Sequence, residues 1–276
     1  MSAMKTFLIA SVAIFSAAVL AMPAHAGQVA IFPKRVVFSG GLRTAEVTLA
    51  NQGKRPVTYR IELIEQRMTP AGMLETVTAP SGPRSPIDLV RYSPRQISVA
   101  PGAPQTVRLL LRTPADLPPG EYRVHLLCRA LPDESELADV AALAENEGLA
   151  VKLIPIPAVS IPILIRHGDG LRASVRLSGL AFDPEARSLS FRLEREGGLS
   201  VYGDLTATLL PADGGPEQVI AQARGLAVYT ELGALEQRLA LAAGLPKGRL
   251  RLRFTSRPQD DGGGPAVSAE AETEIP

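Results

Sequence analysis

Apolar and polar residues alternate one by one through almost every segment of this chain, and that period of two fixes the element type. Side chains on a strand point to opposite faces in turn, so alternation marks a strand with one face buried and one solvated. Val57, Tyr59, Ile61 and Leu63 alternate with Thr58, Arg60 and Glu62. Ala45, Val47 and Leu49 repeat the pattern, as do Val107, Leu109 and Leu111. Tyr122, Val124, Leu126 and Cys128 share a face, with Arg123, His125 and Arg129 on the other. Turn signals separate these runs at Asn51-Gln52-Gly53, Pro101-Gly102 and Leu117-Pro118-Pro119-Gly120.

About seven short antiparallel strands before residue 166 predict an immunoglobulin-like sandwich. His167-Gly168-Asp169-Gly170 reads as a hinge, and beyond it a second set of strands begins. Residues 173–177, 189–193, 205–210, 218–221, 226–230, 237–241 and 249–254 form that set, divided by turns at 211–215 and 245–248. The glycine- and aspartate-rich stretch 258–265 reads as a mobile turn before a final weak strand. The expected fold is all-β: two immunoglobulin-like β-sandwich domains, 27–166 and 167–276, joined by a short hinge in a bent, boomerang-like arrangement.

One run stands apart. Residues 149–165 read LAVKLIPIPAVSIPILI, with Lys152 as the single charge and prolines at 155, 157 and 162. Proline offers no N–H to a ladder and belongs on edge strands or at bulges. A long apolar edge is an aggregation hazard that proteins normally blunt or cover, so keeping one suits a chain that lends a strand to a partner. The acidic, alanine-rich stretch 133–148 before it reads as a long loop able to shield it.

The first 26 residues read as a signal peptide: Lys5, an apolar core over 7–21, and Ala24-His25-Ala26 as a small-x-small cleavage site. Export follows as the expectation, with no membrane insertion of the mature chain. Beyond residue 26 the chain carries 28 basic and 28 acidic residues, a balance that argues against nucleic acid as partner. Cys128 is the only cysteine, in phase with core residues, and reads as a buried thiol. His125 and His167 lie in different segments without metal-ligand spacing and are expected at the surface. No phosphate loop, catalytic constellation or metal set emerges, so the expectation is a non-enzyme without cofactor. Sugar-binding or hydrolytic roles are further disfavoured by the lack of Trp and 4% aromatic content.

These residues resemble the periplasmic chaperones of the chaperone–usher pilus pathway. The resemblance runs through Arg35-Val36-Val37-Phe38, residues 45–51 (AEVTLAN), residues 89–94 (LVRYSP), Ala100-Pro101-Gly102 followed by Thr106-Val107-Arg108-Leu109, Glu121-Tyr122-Arg123, and Arg166 at the close of the apolar run. The second half resembles the family weakly, around residues 200–205. The resemblance implies a chaperone that binds pilin-like subunits by donating its apolar edge strand and passes them to an outer-membrane usher. Val151, Leu153, Ile154 and Ile156 become the donor residues, while Val159, Ile161, Ile163 and Ile165 face the chain's own core. A bulge near Ala158 would reconcile the two parities. Arg35 matches a cleft arginine that grips the subunit's C-terminal carboxylate, and Glu121 and Arg166 match an ion pair at the hinge. The family's second cleft cation is a lysine four residues before the arginine matching Arg166. Pro162 stands there instead, leaving Lys34 and Arg108 as replacement candidates. The alternative reading is a secreted structural or adhesive module that self-associates through the same strand. Self-association of the free chaperone is possible on either reading.

Overall fold

The computed structural model describes residues 29–78, 85–132, 155–264 and 266–275. The strands through the end of the apolar run are, in chain order, β1 (Val29–Phe32), β2 (Val36–Phe38), β3 (Thr44–Asn51), β4 (Val57–Ile64), β5 (Gln66–Met68), β6 (Leu74–Thr76), β7 (Val90–Ser93), β8 (Gln96–Val99), β9 (Gln105–Leu111), β10 (Gly120–Ala130) and β11 (Ala158–His167). The later ones are β12 (Ala173–Asp183), β13 (Ser188–Gly197), β14 (Val201–Pro211), β15 (Gln218–Val228), β16 (Ala234–Ala240), β17 (Gly248–Ser256) and β18 (Ser268–Ile275). Among the described residues the only helical pieces are 3-10 turns at Pro86–Leu89 and Pro258–Asp260. The fold is two β-sandwiches.

In the first sandwich a four-stranded sheet, β1-β3-β9-β7, faces a five-stranded one, β2-β11-β10-β4-β8. The alternating residues meet between them: Val47, Leu49, Val107 and Leu109 from one sheet, Tyr59, Ile61, Val124, Leu126, Cys128 and Ile163 from the other. Burying each large aliphatic side chain contributes roughly 1.5–3 kcal/mol before entropy is subtracted. Cys128 lies within this core, and burial pushes its thiol up to about 12, far from thiolate chemistry. The second sandwich sets β12-β13-β16 against β15-β14-β17-β18, around Leu189, Leu193, Leu205, Leu209, Leu250 and Phe254.

Four elements depart from the sequence reading. The first strand is split at Pro33 and Lys34. β1 pairs with β3 in one sheet, and β2 pairs in parallel with β11 in the other. Residues 218–221 and 226–230 merge into one strand, β15, whose pairing with β14 shifts register twice. The weak final strand is a full one: β18 pairs with β17 from Gly248↔Ile275 to Thr255↔Ser268. Its outward glutamates meet outward arginines, as in Arg249–Glu272 and Arg253–Glu270; exposed pairs of this kind contribute little individually.

The fourth is the β5–β6 hairpin, which the sequence reading missed because its strands are three residues long. It reaches from the first sandwich to the edge of the second. Glu236 N–H donates to Pro70 O at 2.8 Å, Gln237 Nε2 to Ala71 O at 2.6 Å, and Met68 N–H to Glu231 Oε1 at 2.8 Å. Met68 packs on the second core, so the two sandwiches are tied by main-chain bonds as well as by the connecting segment.

Candidate functional site: an open strand edge beside a buried charge cluster

Strand β11 runs antiparallel to β10 in unbroken register from Gly120↔His167 to Arg129↔Ala158, and Ala130 N–H continues the ladder to Pro157 O at 2.9 Å. No bulge occurs at Ala158, contrary to the sequence expectation. On its other side β11 meets β2 only from Ile163 to Ile165. The run is therefore no edge strand over its whole length. Its C-terminal part is interior, because the first strand crosses between sheets and lays β2 against it. From Ala158 to Pro162 the second side carries no strand among the described residues.

The Ala130–Pro157 bond sets which backbone groups face which way. Hydrogen-bonded and non-hydrogen-bonded pairs alternate along an antiparallel ladder. The N–H groups of Val159 and Ile161 therefore turn toward β10, and those of Ala158 and Ser160 turn outward. The nitrogen of Pro162 also turns outward, where its missing donor costs nothing. Ile161, Ile163 and Ile165 point into the core, but Val159 is 37% exposed and Ile156 49% exposed. Val159 thus lies outside the core expected for it, beyond the reach of the four-stranded sheet. Val151, Leu153 and Ile154, like the 133–148 stretch, lie outside the described residues.

A cluster of charges is buried where the sandwiches meet. Arg166, at the end of β11, donates from Nε to Glu121 Oε2 at 3.0 Å, from Nη2 to Asp261 Oδ2 at 2.7 Å and from Nη1 to Asp261 O at 2.5 Å. Glu121 also accepts the Ser200 N–H at 3.1 Å. Burial pulls the Arg166 guanidinium down, but the hydrogen bonds and charges of Asp261 and Glu121 outweigh it and hold it above the ordinary arginine value. Asp261 gave no sequence signal, since it sits in the stretch read as a mobile turn. That stretch is a clamp. Gly262, at φ 70°, lies against β2, where an added Cβ would meet Val37 Cγ1 at 2.7 Å, and its carbonyl accepts from Ser39 Oγ at 3.1 Å. The glycines permit that approach.

Arg35 enters the same cluster from the crossover between β1 and β2. Its side chain is 5% exposed and its Nε lies 3.1 Å from Asp261 Oδ1. The N–H is not aimed at that oxygen, so the contact is an ion pair without a formed hydrogen bond, and both atoms remain unpartnered in that sense. Among the described residues the guanidinium makes one hydrogen bond, a long one, Nη2 to Ser200 Oγ at 3.5 Å. Its plane lies over Tyr202 at 4.5 Å and near Tyr229 at 5.7 Å. Buried with its Nε lacking a hydrogen bond, the guanidinium keeps donor capacity that an incoming carboxylate could take up.

The candidate cations divide. Lys34 and Arg35 line one cavity, together with Phe32, Tyr202, Arg257 and Asp260. Arg108 is not brought there: it pairs with Glu46 at 3.3 Å on the outer face of the β3–β9 ladder. Among the described residues no three His, Cys, Asp or Glu side chains converge as a metal site requires.

His125, expected at the surface, is fully buried. It sits on β10 opposite Pro162 and meets Tyr229 of the second sandwich edge-on at 6.4 Å. Arg123, two residues before it, stacks on the same tyrosine at 3.5 Å and pairs with Glu231 at 2.6 Å. The alternation placed His125 correctly on the outward face, but that face is covered by the second sandwich. Both ring nitrogens lack partners. Burial first, then the charges of Arg123 and Arg35, pull the imidazole down to about 3. The unfolded chain binds a proton near pH 6.5 and the folded chain does not, so stability is lost as pH falls below that value. Between pH 7 and 5 the loss is expected to be about 2 kcal/mol from this group. Urea titrations at both pH values check it: His125→Leu should remove most of the difference, and an unchanged difference would contradict the burial.

No family model matches the chain, and no curated protein matches its sequence. Solved structures do match, and fimbrial and pilus chaperones recur among them. The CsuC–CsuE chaperone–tip adhesion subunit pre-assembly complex from archaic chaperone–usher Csu pili of Acinetobacter baumannii is 12% identical, with 88% of this chain and 98% of that chain covered and a TM-score of 0.48. The Salmonella enterica SafA pilin in complex with the SafB chaperone gives 14% identity, coverage of 90% and 97%, and a TM-score of 0.44. The CupB2 chaperone of Pseudomonas aeruginosa gives 12% identity, coverage of 87% and 98%, and a TM-score of 0.43. At these identities the likenesses assign no role to any residue of this chain.

Proposed function

We propose that this chain is a periplasmic assembly chaperone that caps pilin-like subunits by lending them the open edge of β11 and its apolar extension. The observation that carries the reading is that edge: Ala158 and Ser160 turn backbone donors outward from a strand whose other side is fully paired. A subunit lacking one strand would complete its own sheet there, main-chain bonds supplying affinity and alternate side chains supplying fit. Val151, Leu153, Ile154 and Ile156 are the side chains proposed to fill the subunit's groove. The buried, under-bonded Arg35 is the proposed grip for the subunit's C-terminal carboxylate, fixing the register in which the strands pair. A charge-assisted hydrogen bond there contributes roughly 1.5–3 kcal/mol.

Within this reading residues 1–26 are the export signal, 27–166 the subunit-binding domain and 167–276 the second domain. Glu121, Arg166 and Asp261 hold the angle between them. Release follows when another strand displaces the lent one at the outer-membrane usher. The chemistry needs no cofactor and no catalytic group, because the exchange trades one set of strand contacts for another.

The same open edge would also serve a module that polymerises with itself. Purification from the periplasm of the native host with a C-terminal tag separates the readings. A small β-rich protein recovered in one-to-one ratio supports the chaperone; higher oligomers of the chain alone support the self-associating module and remove the proposed role of Arg35.

A further inference from the structure

We propose that the cavity beside Arg35 is a carboxylate site shared by both sandwiches, with Arg257 of the second one supplying a further cation. This rests on the reading that a partner's C-terminal carboxylate is gripped at Arg35. Arg35 shares its charge with Asp261 at 3.1 Å, so that pair alone presents little net positive charge to an arriving anion. Two further cations line the same cavity. Lys34 is exposed and forms no ion pair among the described residues. Arg257 follows β17 directly and faces Lys34 and Arg35 from the opposite domain.

The guanidinium of Arg257 is held by one edge and open at the other. Its Nε and Nη2 reach Asp204 Oδ2 at 2.8 and 2.6 Å. Its Nη1 makes only a 3.4 Å contact to Asp260, a rim carboxylate that is itself half exposed. Asp204 is therefore a positioning residue: it fixes the plane of the fork and leaves Nη1 with only the Asp260 contact. An arginine fork held along one edge can still bind a carboxylate with the other. The ring of Tyr202, which carries Arg35, forms one wall. Phe32, 75% exposed at the rim, offers an apolar wall for the side chain of the terminal residue. A ligand held by Lys34 and Arg35 on one side and Arg257 on the other bridges the two domains, so binding would respond to the angle between them.

The test uses the full mature chain and a fluorescein-labelled dodecapeptide of alternating valine and threonine, made with a free C-terminal carboxylate and as its C-terminal amide. The parent is expected to prefer the acid about tenfold or more. Arg35→Gln and Arg257→Gln should each remove most of that preference, and Arg257→Lys should retain part of it. Asp204→Asn removes the ion pair but leaves the Arg257 charge and one accepting oxygen, so it should retain more of the preference than Arg257→Gln. If Arg35→Gln loses the preference while Arg257→Gln keeps it, the shared site is wrong and the grip at Arg35 stands. Equal losses in Arg257→Gln and Asp204→Asn would make the arginine a structural group and overturn the proposal. A parent that binds acid and amide alike overturns both the shared site and the carboxylate role of Arg35.

Discussion

Replacing Arg166 by alanine is expected to lower the stability of the folded chain by about 3–5 kcal/mol, the range for breaking a buried ion pair from one side. The upper end applies here, because Arg166 satisfies two carboxylates at once, Glu121 at 3.0 Å and Asp261 at 2.7 Å. Removing it leaves both buried with weaker partners: the Ser200 N–H for Glu121 and the misaligned Arg35 for Asp261. Losses of this size approach half the total stability of many domains. Urea unfolding followed by far-ultraviolet circular dichroism gives the midpoint shift. The combined replacement Arg35→Met, Arg166→Met, Glu121→Met and Asp261→Leu should recover much of the loss, since only with Arg35 also removed does the apolar cluster strand no charge. A small effect from Arg166→Ala alone would mean that the cluster is open to water.

Substituting Ile154 and Ile156 together by aspartate is expected to abolish practical binding of a partner subunit while leaving the chain folded. Ile156 is half exposed and belongs to neither core, so its replacement costs the free protein little. In a complex each isoleucine would contribute roughly 1.5–3 kcal/mol of burial, and two unpaired carboxylates in an apolar groove would add a penalty. Losing about 3–6 kcal/mol corresponds to a drop in affinity of roughly a hundredfold to ten-thousandfold. Titration of the recovered subunit against parent and variant, with a melting curve for each, checks both halves. Retained affinity would move the lent strand elsewhere.

The sequence made the architecture legible because alternation is a local property. Val47, Leu49, Tyr59, Ile61, Val124 and Leu126 announce their burial through their neighbours, and each lies in the first core. What it hid is relational. His125 obeys the alternation as an outward residue, yet the second sandwich covers it with Tyr229, and no spacing within β10 could reveal that lid. Asp261 lies among glycines that suit a mobile turn equally well. Only the close approach of Gly262 to Val37 turns that segment into a clamp. The prolines of the apolar run pointed to an edge, and among the described residues the second side of β11 has no strand from Ala158 to Pro162. Its interior continuation follows from the crossover of β2, a long-range pairing that the run itself does not encode. Glu121 and Arg166 form an ion pair where the family resemblance implied one, whereas charge type alone does not tell that Arg108 lies on the outer face beside Glu46.

Amide hydrogen exchange across β11, read residue by residue with and without bound subunit, tests strand lending most directly. In the free chain Val159 and Ile161 should exchange slowly, because their N–H groups turn toward β10, while Ala158 and Ser160 should exchange fast. On binding, Ala158 and Ser160 are expected to become protected along with Ile156, and the fast exchange should return when a competing strand displaces the subunit. Protection that appears only on another edge, with Ala158 and Ser160 still exchanging freely in the complex, would contradict strand lending by this chain.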